Sequence, residues 1–201
     1  MVELSNTEVF GLNRAMITSG YPMLTDYPVV DSIQSLEDYE KSLKRLTKLG
    51  SCKPNTGHDS ALKGVLVQAD IKYPQYFTPQ LQRYNWIDII SSMSKMHTLT
   101  KNTDIKNHCN KYVLDEIIII INKLIFDYNH TLDKDMQHEL FMTIVSNLPM
   151  GYELVMGIST NYLQLKTIYN QRKNHKLDDW HLFTNWILDL PYFKELTGVV
   201  K

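Results

Sequence analysis

The sequence has two cysteines in 201 residues, and Cys52 and Cys109 stand far apart. No C-x-x-C and no clustered Cys/His spacing occurs, so neither a metal site nor a disulfide framework is expected. Both cysteines read as reduced thiols. Long apolar runs are absent too. The strongest, "IIIII" at 117–121, is bounded by Asp115, Glu116 and Lys123. A membrane span needs about 20 apolar residues, so this run reads as a core helix and no membrane association is expected. The opening "MVELSNTEVF" carries acids where a secretory leader would be basic and then apolar. The expected location is therefore cytoplasmic.

Charge of one sign is also lacking. The formal net charge is −1, which gives no global drive toward nucleic acid or an anionic membrane. The portable catalytic signatures G-x-S-x-G, G-x-x-x-x-G-K-[ST], H-E-x-x-H and G-x-G-x-x-G are all missing, which removes the reaction classes they mark.

What is present is an ordinary globular composition, 43% hydrophobic and 21% charged, in a chain long enough for one domain with a real core. Its Lys-, Asn- and Ile-rich usage suits an AT-rich bacterial or phage genome. Residues 31–48 predict a helix capped by Asp31, with Ile33, Leu36, Tyr39, Leu43 and Leu46 at helical spacing. Gly50 ends it, and "SCKPNTG" (51–57) is a loop by composition. "GVLVQADIKY" (64–73) alternates, which predicts a strand with Val65, Val67, Ala69 and Ile71 on its apolar face. A short helix follows around 75–84. Further helices are expected near 111–129, 134–147, 151–173 and 178–189. With no repeat and no linker, residues 1–201 read as a single mixed α/β (α+β) domain, a small sheet with long helices.

Four stretches carry candidate chemistry. "GHDS" (57–60) puts His58 between a loop and a helical turn, where backbone N–H groups can hold an anion. Residue preference favours the plainer reading, in which Asp59 or Ser60 caps the turn. Arg83 follows a short helix, one turn after Gln80, and its planar fork suits a phosphate. Ser91, Ser92, Ser94, Lys95 and His97 offer further donors. A structural ion pair of Arg83 with Asp88 or Asp70 is the alternative. "NQRKNHK" (170–176) is the basic run and reads as a solvated helix end. Trp180 and Trp186 share a helix side with Ile187 and Leu190, which fits core packing.

The order of these segments resembles the flavin-dependent thymidylate synthases over roughly residues 55–187. "GHDSALKGVLVQADI" resembles the family's loop "GH-[ED]-S-P-L-E-H" and the strand after it. "PQLQRYNWIDIISSMSKMH" resembles "HQLVRHR" followed by "S-x-R-Y". "NLPMGYELVMGISTNYLQLKTIYNQR…DDWHLF" resembles "LP…T-x-N…L…F…R…W-E-I-R". Residue by residue, Gly57, His58, Ser60 and Leu62 match the loop, Gln80 and Leu81 match "QL", and Arg83 matches the first arginine of "RHR". Ser94 matches the motif serine with one residue inserted. Leu148 and Pro149 match "LP", Thr160 and Asn161 match "T-x-N", and Arg172 and Trp180 match the later arginine and tryptophan.

The resemblance implies a thymidylate synthase-complementing fold and a homotetramer with sites where subunits meet. It also implies methylation of dUMP with a folate and FAD. The departures bear on the chemistry. Tyr84-Asn85 stand where the family has histidine and arginine at the flavin. Gly64 replaces a flavin-contacting histidine, Val145 an arginine, and His181-Leu182-Phe183 the "E-I-R". Each lost arginine removes a contact of about 1.5–3 kcal/mol, and Lys95, His97 and Lys63 are the candidate replacements.

Together these readings favour a protein that binds a nucleotide or related phosphorylated ligand rather than one that carries out the standard methylation. His58, Gln80, Arg83, Ser92, Ser94, Lys95 and Arg172 are its expected binding residues. His97 and Ser94 are expected to carry any acid–base chemistry. Two alternatives stand beside it: an active FAD-dependent enzyme with a remodelled site, and a non-enzymatic oligomeric scaffold.

Overall fold

The structure is a computed structural model that describes residues 1–26, 33, 35–54, 56–102 and 104–199. In chain order it runs β1 (Glu3–Phe10), α1 (Leu12–Thr18), α2 (Leu36–Gly50), β2 (Leu66–Pro74), α3 (Thr78–Leu81), β3 (Asp88–Ser92) and α4 (Lys95–Thr98). Then follow α5 (Asp115–His130), α6 (Lys134–Asn147), β4 (Glu153–Asn161), α7 (Tyr162–Arg172), α8 (Asp178–Asp189) and α9 (Phe193–Thr197). Short 3-10 turns join them, notably His58–Gly64 before β2 and Gln75–Phe77 before α3. The strands form one antiparallel sheet in the order β1-β2-β4-β3. A small sheet carried by long helices is therefore the architecture, as the sequence predicts.

β2 and β4 are the centre of that sheet, paired without a register break from Leu66↔Asn161 to Pro74↔Glu153. Val67, Ala69 and Ile71 from β2, and Leu154, Met156 and Ile158 from β4, are buried on the helix-covered side. That alternation is the period of a strand with one covered face. The expectation of one helix over 151–173 is corrected here. Its first part is β4, and only Tyr162–Arg172 is helical. Asn161 makes the break, because its side chain accepts from the Gln164 N–H and caps α7. The two periods run into each other with no proline between them, which hides the boundary.

Other boundaries moved for similar reasons. α2 begins at Leu36, where the Ser35 hydroxyl accepts from Asp38 N–H at 3.1 Å. Asp31, expected as the cap, lies outside the described residues. β1 was not expected from its polar sequence. It is held by pairing with β2 and by Asn6 Nδ2, which donates to Asp70 Oδ2 at 2.7 Å. The isoleucine run is only half core. Ile118 and Ile121 are buried with Ile125, whereas Ile119 and Ile120 are 66% and 58% exposed.

The largest side chain in the core is Trp180, fully buried against Phe77 and Phe183. One residue earlier, Asp179 anchors the N-terminal segment. Its carboxylate accepts from Val2 N–H and from Tyr76 Oη–H, each at 2.7 Å. Burial, and then the carboxylate beside it, raise the Tyr76 phenol above its ordinary pKa. Every buried side-chain nitrogen and oxygen among the described residues has a partner. Asp179→Ala leaves two of these donors without an acceptor, so it should cost about 3 kcal/mol in a urea melt. Tyr76→Phe, which removes only one donor, should cost about 1 kcal/mol.

Candidate functional site

The segment His58–Gly64 is placed by two features of the chain. Gly57 precedes it at φ +78°, with open space where a Cβ would stand, so glycine serves backbone conformation there. Asp59 then turns inward rather than capping the turn. Its Oδ2 lies 2.9 Å from Lys166 Nζ, and both side chains are 3% exposed. The same ammonium donates to the carbonyls of Gly50 and Cys52, each at 2.7 Å. His58 and Ser60 are left on the outer side.

They face a cleft of about 650 Å³ between the turn, α2 and the end of α1. Its polar lining is Thr18, Ser19, Arg45, Lys48, His58 and Ser60, and among the described residues no carboxylate lines it. Arg45 is seated by its own bonds: Nε donates to Ser19 Oγ at 3.0 Å, and Nη2 to the Met16 carbonyl at 3.0 Å. A Cβ on Gly20 would stand 2.9 Å from Arg45 Cζ, so glycine makes room for the guanidinium. Pro22, Met23 and Leu49 give the cleft an apolar wall.

Gln80 and Arg172, predicted as binding residues, come together elsewhere, around Trp180. The indole N–H donates to Gln80 Oε1 at 2.8 Å. The Arg172 guanidinium lies over the same ring, 4.6 Å from its centroid, while its Nε donates to Tyr84 Oη at 2.7 Å. Tyr84 in turn donates to Gln171 Oε1 and is 7% exposed. Tyr84, which the sequence resemblance sets against a motif histidine, is therefore part of the core.

The remaining predicted residues are on the surface. Arg83 is exposed and makes no ion pair among the described residues, with Asp88, Asp70 or any other carboxylate. Ser92 ends the edge strand β3, whose residues are all exposed. Ser94 precedes α4, where its carbonyl accepts from Thr98 Oγ1 at 2.8 Å. Lys95 donates to Gln75 Oε1, and His97 is exposed on the same turn of helix. Lys63 lines a small groove with Trp86, Asn161, Gln164 and Thr167 at the start of α7. Among the described residues no hydrogen bond or ion pair joins the His58 group, the Gln80–Arg172 group and the Lys95 group.

Sequence reasoning missed Arg45, Lys48 and Lys166. The first two lie within the helix expected over 31–48 and were not singled out there. Lys166 had a visible signal, a lysine inside "YLQLKTIY" with Leu165 and Ile168 buried around it. The basic run 170–176 is mostly exposed, as expected, with Arg172 and His175 the exceptions. Among the described residues no three His, Cys, Asp or Glu side chains gather as for a metal, and no helix is long and apolar enough to cross a membrane. Burial pushes the Cys109 thiol up to about 11, so it stays protonated at neutral pH.

His175, between α7 and α8, accepts from Leu177 N–H through Nδ1 at 3.1 Å, which requires an unprotonated Nδ1. Burial first, then the charges of Arg172 and His181, lower its pKa below the ordinary 6.5. The unfolded chain therefore takes up this proton first, and the fold loses stability as pH falls below the unfolded value. An NMR titration should show the His175 ring with a midpoint below 6.5. The Leu177 amide should shift with the same midpoint.

No protein-family model and no curated protein matches the chain. Solved structures do. A crystal structure of the flavin-dependent thymidylate synthase ThyX from Helicobacter pylori, complexed with FAD and dUMP, matches with a TM-score of 0.69 at 14% identity, covering 97% of each chain. A second structure of ThyX from Helicobacter pylori with FAD and dUMP gives a TM-score of 0.67 at 13% identity, covering 98% of this chain and 97% of its own. The likeness spans nearly the whole of both chains: this protein has the fold of the flavin-dependent thymidylate synthases.

Proposed function

We propose that this protein binds a nucleotide or a related phosphorylated ligand, with the phosphate in the cleft between α1, α2 and the turn at His58. The cleft itself carries the reading. It has the volume of a ligand site, and its lining combines Arg45, Lys48 and His58 with three hydroxyls and no described carboxylate. Arg45 is already immobilised by Ser19 and Met16, so ordering it costs little on binding. Its Nη1 keeps its donors, because no described residue accepts from it. That the Helicobacter pylori proteins of this fold were solved with dUMP supports the ligand class.

The fit to FAD is poorer. Tyr84 is buried and committed to Arg172 and Gln171, so it presents nothing to a flavin where the family's histidine would. The proposal is therefore one of binding, with no step routed through a flavin. Arg83, Ser92, Ser94, Lys95, His97 and Arg172 enter it as groups offered to a ligand seated between copies of the chain. Gln80 keeps its amide NH₂ for the same purpose. Support for an assembly is apolar exposure: Ile89 and Ile90 on the edge strand, and Ile119, Ile120 and Phe126 on α5, are all more than two-fifths exposed. We take that assembly to be a homotetramer.

Calorimetric titration with dUMP, inorganic phosphate and FAD tests the reading. The wild type should bind dUMP more tightly than phosphate alone. Arg45→Ala should lose about ten- to a hundredfold in affinity, the worth of one charge-assisted contact, with little change in melting temperature. Gly20→Ala, which crowds the guanidinium out of its seat, should weaken binding in the same direction. A wild type that ignores all three ligands, or an Arg45→Ala variant with unchanged affinity, overturns the assignment. The assembly is tested by light scattering on a sizing column. The wild type should run as a tetramer, and Ile119→Glu with Ile120→Glu should reduce it to smaller species. A monomeric wild type refutes this part.

A further inference from the structure

We infer that Lys166 is a positioning residue for the cleft, and that its buried pair with Asp59 sets the height and orientation of His58 and Ser60. This rests on the reading of the cleft as a ligand site. The geometry carries it. Lys166 projects from α7 with 3% exposure and spends all three ammonium protons: on Asp59 Oδ2, on the Gly50 carbonyl and on the Cys52 carbonyl. Gly50 is the last residue of α2. Its carbonyl belongs to the set that a helix leaves without an intrahelical partner, and it stands at the negative end of the helix dipole. One cation thus closes α2, grips the loop two residues on, and then holds the start of the turn that bears His58.

The two ends of the loop are fixed differently. At Gly50 there is no freedom, since a Cβ would stand 2.2 Å from the Leu196 carbonyl of α9. At Gly57 there is ample freedom, with nothing within 4 Å of a Cβ and a positive φ. Between them, Thr56 Oγ1 donates to the nearby Lys53 carbonyl and has no other partner among the described residues. The turn is anchored on its far side by its two buried residues, Asp59 and Leu62, and Asp59 is the one next to His58. Asp59 is flanked by His58 and Ser60, which face the cleft. Lys63, four residues on, faces the groove at the start of α7. A shift of Asp59 moves donors in both places.

A buried ion pair is a weak source of net stability, because desolvating two charges offsets their attraction. A neutral pair of similar volume can therefore keep the fold while releasing the loop. The test uses the double variant Lys166→Met/Asp59→Asn, with Asp59→Asn alone as a second variant that keeps both carbonyl bonds of Lys166. Two readouts are taken on full-length protein. Amide exchange over residues 50–60 should speed up, while exchange in β2 and β4 stays at the wild-type rate. Affinity for dUMP should fall about tenfold or more in the double variant and less in Asp59→Asn. If exchange over 50–60 is unchanged, or rises equally in the central strands, the positioning role is refuted. If loop exchange rises but dUMP affinity holds at the wild-type value, it is refuted likewise. A wild type that binds no dUMP removes the nucleotide reading, while the exchange result still decides whether Lys166 orders the loop.

Discussion

The indole of Trp180 is the contact on which the arrangement of this protein turns. It sits with no exposure between α3, α7 and α8, and its ring is enclosed by Phe77, Tyr84 and Phe183. A buried indole must find an acceptor for its N–H, and Gln80 supplies one. The ring face takes a cation, and Arg172 supplies that. Two residues that the sequence offers as ligand contacts are thereby drawn into holding the core. The Arg172 Nε donates to Tyr84, so the guanidinium is tied at its root and retains only its outer ends. Gln80 and Arg172, expected from the sequence as binding residues, are here partly structural, and the reason is the polar demand of one aromatic side chain.

The reading of the sequence succeeded where one period held. β2 alternates cleanly through Val67, Ala69 and Ile71, and α8, expected over 178–189, is found at Asp178–Asp189. It failed where two periods abut. β4 runs into α7 through Asn161, a residue that is both the last of a strand and a helix cap. No proline or glycine marks the join, so 151–173 looks helical throughout. β1 failed for another reason. Its residues are mostly polar and exposed, and its strand character comes from pairing with β2, a tertiary effect that local propensity does not carry.

The site was less legible than the fold, again for physical reasons. His58, Gln80, Arg83 and Lys95 were picked out as residue types suited to a nucleotide, and of these His58 and Arg83 are exposed while Gln80 and Lys95 are half-buried and hydrogen-bonded within the chain. What the sequence could not show is their distance from one another. His58 faces the cleft at α2, Gln80 meets Trp180, and Lys95 reaches Gln75. Nor does residue type alone distinguish a lysine on the solvated face, such as Lys48, from one whose charge is consumed inside, such as Lys166. The apolar neighbours of Lys166 mark it as buried, and the carbonyls at the end of α2 show where its charge goes.

The distribution of exposed apolar surface completes the picture. Ile118, Ile121 and Ile125 cover the core with one side of α5, yet Ile119, Ile120 and Phe126 on its other side face solvent. β3 is exposed on both faces, and among the described residues its outer edge is unpaired. An edge strand bearing Ile89 and Ile90 is a liability for a chain that stays alone. The protective devices found on natural edges are scarce here: one bulge between Ile89 and Ser91, one aspartate at Asp88, no lysine and no proline. Beside Ile89 and Ile90 stand Ser92, Ser94 and His97, whose side chains make no hydrogen bond or ion pair among the described residues. On this edge, polar side chains without a partner among the described residues stand beside the exposed Ile89 and Ile90. A second copy of the chain packed there would bury the apolar groups and enclose the polar ones, which is the arrangement a ligand site between subunits requires.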